Sequence, residues 1–187
     1  MQRRDLLRAF GATAALAMVP REAVAAWTRV ATGARPADGL TDAQLALVGA
    51  IADTILPRSD SPSATDVAVP AFINVIVSEN YTDADRQTFV AGLDAIEAHV
   101  KMNAGAPFTN LSAEKRGDAI GAIEALGDRR AEPSRTYWRL KGLVVHGYFT
   151  SERVMKEVLH HEIMPGKYDG NAPMPSKVAR PGGHSHG

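Results

Sequence analysis

Apolar side chains recur three and four residues apart in six segments of the chain, and each segment is bounded by a residue that starts or stops helices. The clearest segment begins at Thr41, which matches a capping box with Gln44, and ends before Pro57. The other five begin at Pro70, Thr82, Ser112, Ser134 and Thr150 or Ser151. No stretch alternates convincingly like a half-buried strand. The sequence therefore predicts an all-α fold, a single small domain of about six helices.

The N-terminal residues match an export signal that contains an arginine pair. In the opening MQRRDLLR, Arg3, Arg4, Leu6 and Leu7 follow the twin-arginine pattern R-R-x-[FL]-L-K/R. The apolar run after them, over residues 9–19, is too short to cross a bilayer, which takes about 20 residues. Because the twin-arginine route carries folded proteins, often with a cofactor, the pattern predicts export of a folded protein or complex.

Small residues mark the predicted end of this signal. Ala23 and Ala25 form an A-x-A pattern, with the cut before Ala26. The alternative is an amphipathic N-terminal helix that stays with the domain. The predicted segments are a flexible signal over 1–25, a polar linker over 26–40, the helical domain over 41–168 and an irregular tail over 169–187.

Composition and motifs argue against a cofactor site in this chain. It has no cysteine, which excludes disulfides, a thiolate nucleophile and cysteine-ligated metals. Its formal net charge of zero lacks the basic excess of a nucleic-acid-binding protein. Dinucleotide, phosphate-loop and c-type haem motifs are missing. Asp53 and Asp66 flank a polar loop, where turn and capping roles suffice. We therefore expect no catalytic, cofactor-binding or metal-binding residue.

One pattern leaves a metal site open as an alternative. Glu157 and His160 have the E-x-x-H spacing that di-iron carboxylate bundles use on their helices. Such sites need a second pair and two further glutamates, and only one pair is found. Histidines near a helix C-terminus, where a cation suits the dipole, are the plainer interpretation. A further alternative is a binding module with a small-ligand pocket between helices, although no convergent polar set supports it.

Two stretches of the chain resemble the gluconate 2-dehydrogenase subunit 3 family. Residues 47–73, LVGAIADTILPRSDSPSATDVAVPAFI, are similar to its D-T-I-L-P…V-P-x-F-I segment. Residues 140–170, LKGLVVHGYFTSERVMKEVLHHEIMPGKYDG, are similar to its G-Y-F-T-S-E…P-G-x-Y-x-G segment. The resemblance covers roughly residues 41–171, and Ser63 stands where the family pattern has glycine.

The resemblance implies a small, non-catalytic accessory subunit of a periplasmic sugar, polyol or sugar-acid dehydrogenase. In such complexes a large flavoprotein of the glucose-methanol-choline class binds FAD and oxidises the substrate. The small subunit typically carries the twin-arginine signal and escorts the large one. FAD is thus expected in the large subunit and haem c in a membrane-bound cytochrome subunit, with no cofactor in this chain. The implied partners are these two subunits and the twin-arginine translocase, and no nucleic acid.

Aromatic and proline residues are the expected points of contact with the large subunit. Tyr148 and Phe149 suit an anchoring role because aromatics dominate binding hot spots. The alternative is that they pack in the domain's own core, with Phe149 inward. Proline stiffens the loop between the first two helices, which lowers the cost of ordering it on binding, although a plain connection is also possible. The expected contact residues are Pro57, Pro62, Pro70, Tyr148, Phe149, Pro165 and Tyr168, and the tail after them either wraps the partner or is disordered.

Overall fold

The computed structural model describes residues 20–33, 36 and 38–160, and all regular structure in them is helical. The α-helices are α1 (Arg21–Ala31), α2 (Asp42–Ile55), α3 (Val69–Glu79), α4 (Asp83–Ala104), α5 (Ala113–Glu124) and α6 (Ser134–Thr150). Two 3-10 turns (Thr65–Val67 and Phe108–Asn110) and a π-helical turn (Val154–Val158) complete the elements. The all-α prediction is confirmed, with α2 to α6 at the predicted places.

Side-chain caps explain most of the helix starts. Thr41 and Gln44 form the predicted capping box, in which each backbone N–H donates to the other's side chain. The side chains of Thr82 and Ser112 likewise each accept a hydrogen bond from the backbone N–H of the residue three positions later in the chain. Helix α6 begins at Ser134 as predicted, although the Ser134 hydroxyl makes no cap hydrogen bond. The carboxylate of Glu132 takes that role instead and accepts bonds from the backbone and hydroxyl of Thr136.

Helix α1 lies where a linker was predicted, and that prediction is wrong for residues 26–31. Ala23 and Ala26 are each 1% exposed. The Trp27 ring stacks on Phe72 of α3 with centroids 5.0 Å apart. Its Nε1–H donates a hydrogen bond of 3.1 Å to the hydroxyl of Thr150. Alanine suits a cleavage region and a packed helix equally, so composition does not distinguish them.

Helix α3 is the centre of the packing. It contacts α1, α2 and α6, and seven of its eleven residues are buried. Close approach of the helices depends on two glycines. A Cβ at Gly147 of α6 would lie 2.7 Å from the Phe72 ring, and one at Gly92 of α4 would lie 1.8 Å from the Thr136 hydroxyl. These positions bring α6 against α3 and α4.

Lys141 of α6 pairs with a carboxylate. Its amine lies 2.6 Å from Glu124 of α5, which also accepts a hydrogen bond from the buried Tyr137 hydroxyl. The bond from Lys141, followed by that from Tyr137, lowers the pKa of Glu124. Burial and the same carboxylate raise the pKa of Tyr137. The arrangement ties α5 to α6.

Candidate interaction site

The two stretches that carry the family resemblance meet in space. The Tyr148 hydroxyl, near the end of α6, donates a hydrogen bond of 2.8 Å to the backbone carbonyl of Pro62 in the loop between α2 and α3. Tyr148 is 4% exposed, so it packs within this domain. This contact places the loop and the C-terminal end of α6 on one side of the molecule.

Asp53 holds the loop from the side of α2. Its carboxylate accepts bonds from the backbone N–H of Thr65, at 2.9 Å, and from the Thr65 hydroxyl, at 2.6 Å. The backbone N–H of Ala64 also donates to the carbonyl of Leu56. The capping role expected for Asp53 is therefore confirmed, and the aspartate of the D-T-I-L-P motif fixes the return of the loop toward α3.

Asp66 closes the other half of the loop. Its carboxylate accepts the backbone N–H of Ser63 at 2.8 Å and pairs with Arg58. The Ser63 backbone bond, aided by the Ser63 hydroxyl and Arg58, lowers the pKa of Asp66 despite its partial desolvation. Ser63 is 6% exposed, and its hydroxyl accepts the Asp66 backbone N–H. Serine therefore serves this turn where the family pattern has glycine.

Phe149 faces outward, so the alternative that it packs in the domain's own core is wrong. It is 43% exposed, and its ring meets the buried Tyr148 ring edge-on. Val145, one turn earlier, is 38% exposed. Residues 142–151 contain no Asp, Glu, Lys or Arg. The exposure of Val145 was not predicted from the sequence. The available signal was this uncharged run, in which apolar residues occupy more of the helix surface than the side that faces the core.

The prolines of the loop differ in position. Pro57 is exposed, whereas Pro62 and Pro70 are half-buried. Pro70 lies in the first turn of α3, where a missing N–H costs nothing. The contacts predicted at Pro165 and Tyr168, and the signal residues Arg3, Arg4, Leu6 and Leu7, lie outside the described residues.

The E-x-x-H pair does not share an α-helix, which corrects the geometry expected for it. Val154–Val158 is a π-helical turn, capped at 3.4 Å by the Ser151 hydroxyl, and His160 lies beyond it with φ 47°. Glu157 is ion-paired with Arg153 at 2.9 Å. Within the part of the chain that the structure describes, no three metal-ligating side chains form a cluster.

A groove of about 410 Å³ lies between α1, the loop and the π-helical turn, and its charges are paired with one another. Lys156 pairs with Glu152, and Arg153 pairs with Glu157. Asp66, also in its lining, is engaged by the loop. A small polar ligand would have to displace these pairs, so the groove offers little support for a ligand-binding module.

The family model for gluconate 2-dehydrogenase subunit 3 matches residues 42–166, which is most of the chain. No curated protein and no solved structure matches it significantly. Among residues 20–160 as described, no helix is long and apolar enough to span a membrane. The match includes both the loop and α6, the two segments that Tyr148 joins. The chain therefore belongs to the gluconate 2-dehydrogenase subunit 3 family.

Proposed function

We propose that this chain is the non-catalytic small subunit of a periplasmic, FAD-dependent dehydrogenase that oxidises a sugar, a polyol or a sugar acid. The observation that carries the proposal is the family match over residues 42–166, because the family is defined as a subunit of a dehydrogenase. In this role the chain binds the large subunit, in which FAD and the substrate meet. A cytochrome subunit with haem c passes the electrons on at the membrane.

The second half of the proposal is export. Arg3 and Arg4 direct this chain to the twin-arginine translocase, and the large subunit, bound to it, crosses the membrane as a folded passenger. The helical domain suits a carrier because its binding surface is preformed. Asp53 and Tyr148 hold the loop between α2 and α3 by hydrogen bonds, so little conformational entropy remains to be lost on binding.

Export of the large subunit in the presence of signal variants tests the proposal. The chain is expressed with its large subunit, and both are followed in cytoplasmic and periplasmic fractions. We expect R3K/R4K to leave the large subunit in the cytoplasm. The matched control is R8K, which keeps a basic residue at the position where the signal pattern accepts Lys or Arg. Normal export of the large subunit with R3K/R4K would contradict the escort role.

A further inference from the structure

One side of α6 is apolar; Trp138, at its N-terminal end, is half-buried against the core, whereas Val145 and Phe149 are exposed. Trp138, Gly142, Val145 and Phe149 follow one another at intervals of four, three and four residues, so they lie on one side of the helix. The buried residues of α6 lie on the opposite side; they include Tyr137, Leu140, Val144 and Tyr148. We call the first four residues the outer face of α6.

A helix on the surface of a soluble domain normally shows charged side chains opposite its core side. The outer face of α6 shows none between residues 142 and 151, and Val145 and Phe149 leave 38% and 43% of their surface exposed. Helices α4 and α5 carry Asp, Glu, Lys or Arg among their exposed positions, as does the first half of α6 with Arg135 and Arg139. An exposed apolar strip bounded by polar residues is typical of a binding surface.

The N-terminal end of this face is basic. The guanidinium of Arg129 lies 3.8 Å from the centre of the Trp138 ring, and the Lys141 amine lies 5.0 Å from it. Arg139 lies over Tyr81 in the same manner, at 4.1 Å. Lys141 is also paired with Glu124, so the positive border at this end of the strip comes from Arg129 and Arg139.

We propose that the outer face of α6 is the surface on which the dehydrogenase large subunit docks; this inference rests on the proposed function. Phe149 is the anchor, entering an apolar pocket of the large subunit, and Val145 packs beside it. The complementary surface is apolar, with carboxylates opposite Arg129 at the Trp138 end.

The family match favours the large subunit as the occupant of this face. The whole outer face lies inside the matched residues 42–166, whereas residues 167–187 lie outside the match. Because the outer face of α6 lies within the residues that the family model matches, we assign it to the dehydrogenase large subunit, the partner that the family implies, and not to the C-terminal segment beyond the match.

Retention of the large subunit by a tagged full-length chain tests the surface. We expect the wild-type chain to retain it and F149E to weaken binding about tenfold or more, because a charge replaces the anchor. The matched control is M102E on α4. Met102 is 81% exposed and apolar but belongs to a different helix from the outer face of α6, so M102E should bind like wild type. Circular dichroism and thermal unfolding confirm that each variant is folded.

The outcomes separate the surface from the function. If the wild-type chain does not retain the large subunit, the proposed function fails and the surface assignment falls with it. If F149E retains it as well as wild type does, the function stands and the surface assignment is wrong. Dimerisation of the wild-type chain that F149E abolishes would assign the face to a second copy. Hydrogen-exchange protection of residues 142–151 that disappears in a chain ending at His160 would assign it to the chain's own C-terminal segment.

Discussion

The Tyr148 hydroxyl donates a hydrogen bond of 2.8 Å to the carbonyl of Pro62, a residue 86 positions earlier in the chain. This bond fastens the end of α6 to the loop between α2 and α3. It also explains why Tyr148 and Phe149, neighbours in sequence, have different roles. Tyr148 is buried and structural, whereas Phe149 is exposed.

Replacing Tyr148 by Phe removes only the hydroxyl and leaves the Pro62 carbonyl without its partner. We expect Y148F to lower the free energy of unfolding by about 1 to 2 kcal/mol, as measured by urea denaturation. Residues 57–68 should also lose hydrogen-exchange protection. F149L, on the exposed neighbour, should change stability by less than about 0.5 kcal/mol. Equal stability of Y148F and wild type would show that the bond does not hold the loop.

A methyl group at Gly92 has no room, since its Cβ would lie 1.8 Å from the Thr136 hydroxyl. We expect G92A to destabilise the domain by about 1 to 3 kcal/mol through displacement of α4 from α6. Gly121 is the matched control within a helix, because a Cβ added there would meet no neighbouring side chain or other element within 4 Å. G121A should stabilise by about 0.5 to 1 kcal/mol, through helix propensity. Thermal unfolding that ranks the two variants in the opposite order would contradict this packing.

Stability at acid pH should depend on Glu124. Its pKa in the folded state is lowered, first by the bond from Lys141, below the ordinary value of 4.5. A lowered pKa stabilises the fold above the unfolded-state value, and this contribution is lost as the pH falls through the folded-state pKa. We expect the free energy of unfolding of wild type to fall between about pH 5 and pH 3, and that of E124Q to fall less. K141M should reduce the same pH dependence.

A pH dependence identical in wild type, E124Q and K141M would contradict the coupling of these two residues. Part of the acid sensitivity should remain in both variants, because the pKa of Asp66 is also lowered, chiefly by the Ser63 backbone. Urea titrations at a series of pH values measure all three proteins in the same way.

Trp27 should hold α1 on the domain. We expect W27A to lose about 2 kcal/mol of stability, since a half-buried ring loses its contact with Phe72 and its bond to Thr150. A chain that begins at Ala26, as after the predicted cleavage, keeps Trp27 and should stay within about 1 kcal/mol of a chain that begins at Pro20. If the chain that begins at Ala26 loses more stability than W27A does, residues 20–25 and not Trp27 are the main anchor of α1 on the domain.

Local signals were sufficient to predict most of the helices. Thr41, Thr82 and Ser112 are caps in the structure because hydroxyl oxygens at those positions meet free N–H groups within a few residues. The capping of α6 by Glu132 and the packing of α1 by Trp27 depend on contacts that sequence spacing alone does not specify. The sequence predicted a short α-helix over this segment, whereas Val154–Val158 forms a π-helical turn.

The candidate site was predictable only in part. The loop motif and the G-Y-F-T-S-E segment were recognised, but their contact through Tyr148 and Pro62 is long-range and has no signature in either segment alone. The sequence left open which of Tyr148 and Phe149 packs in the core, because both are aromatic and adjacent in the chain. The uncharged run over residues 142–151 is the feature that separates an outward Phe149 from an ordinary core residue.

The most direct test of the central claim is the flavin content of what is isolated with this chain from the periplasm. A tagged full-length chain is expressed with its large subunit, purified from the periplasmic fraction, and assayed for flavin and for sugar or polyol dehydrogenase activity. We expect a complex that contains FAD and is active, with all the flavin in the large subunit. A chain recovered alone, without flavin or dehydrogenase activity, would contradict it.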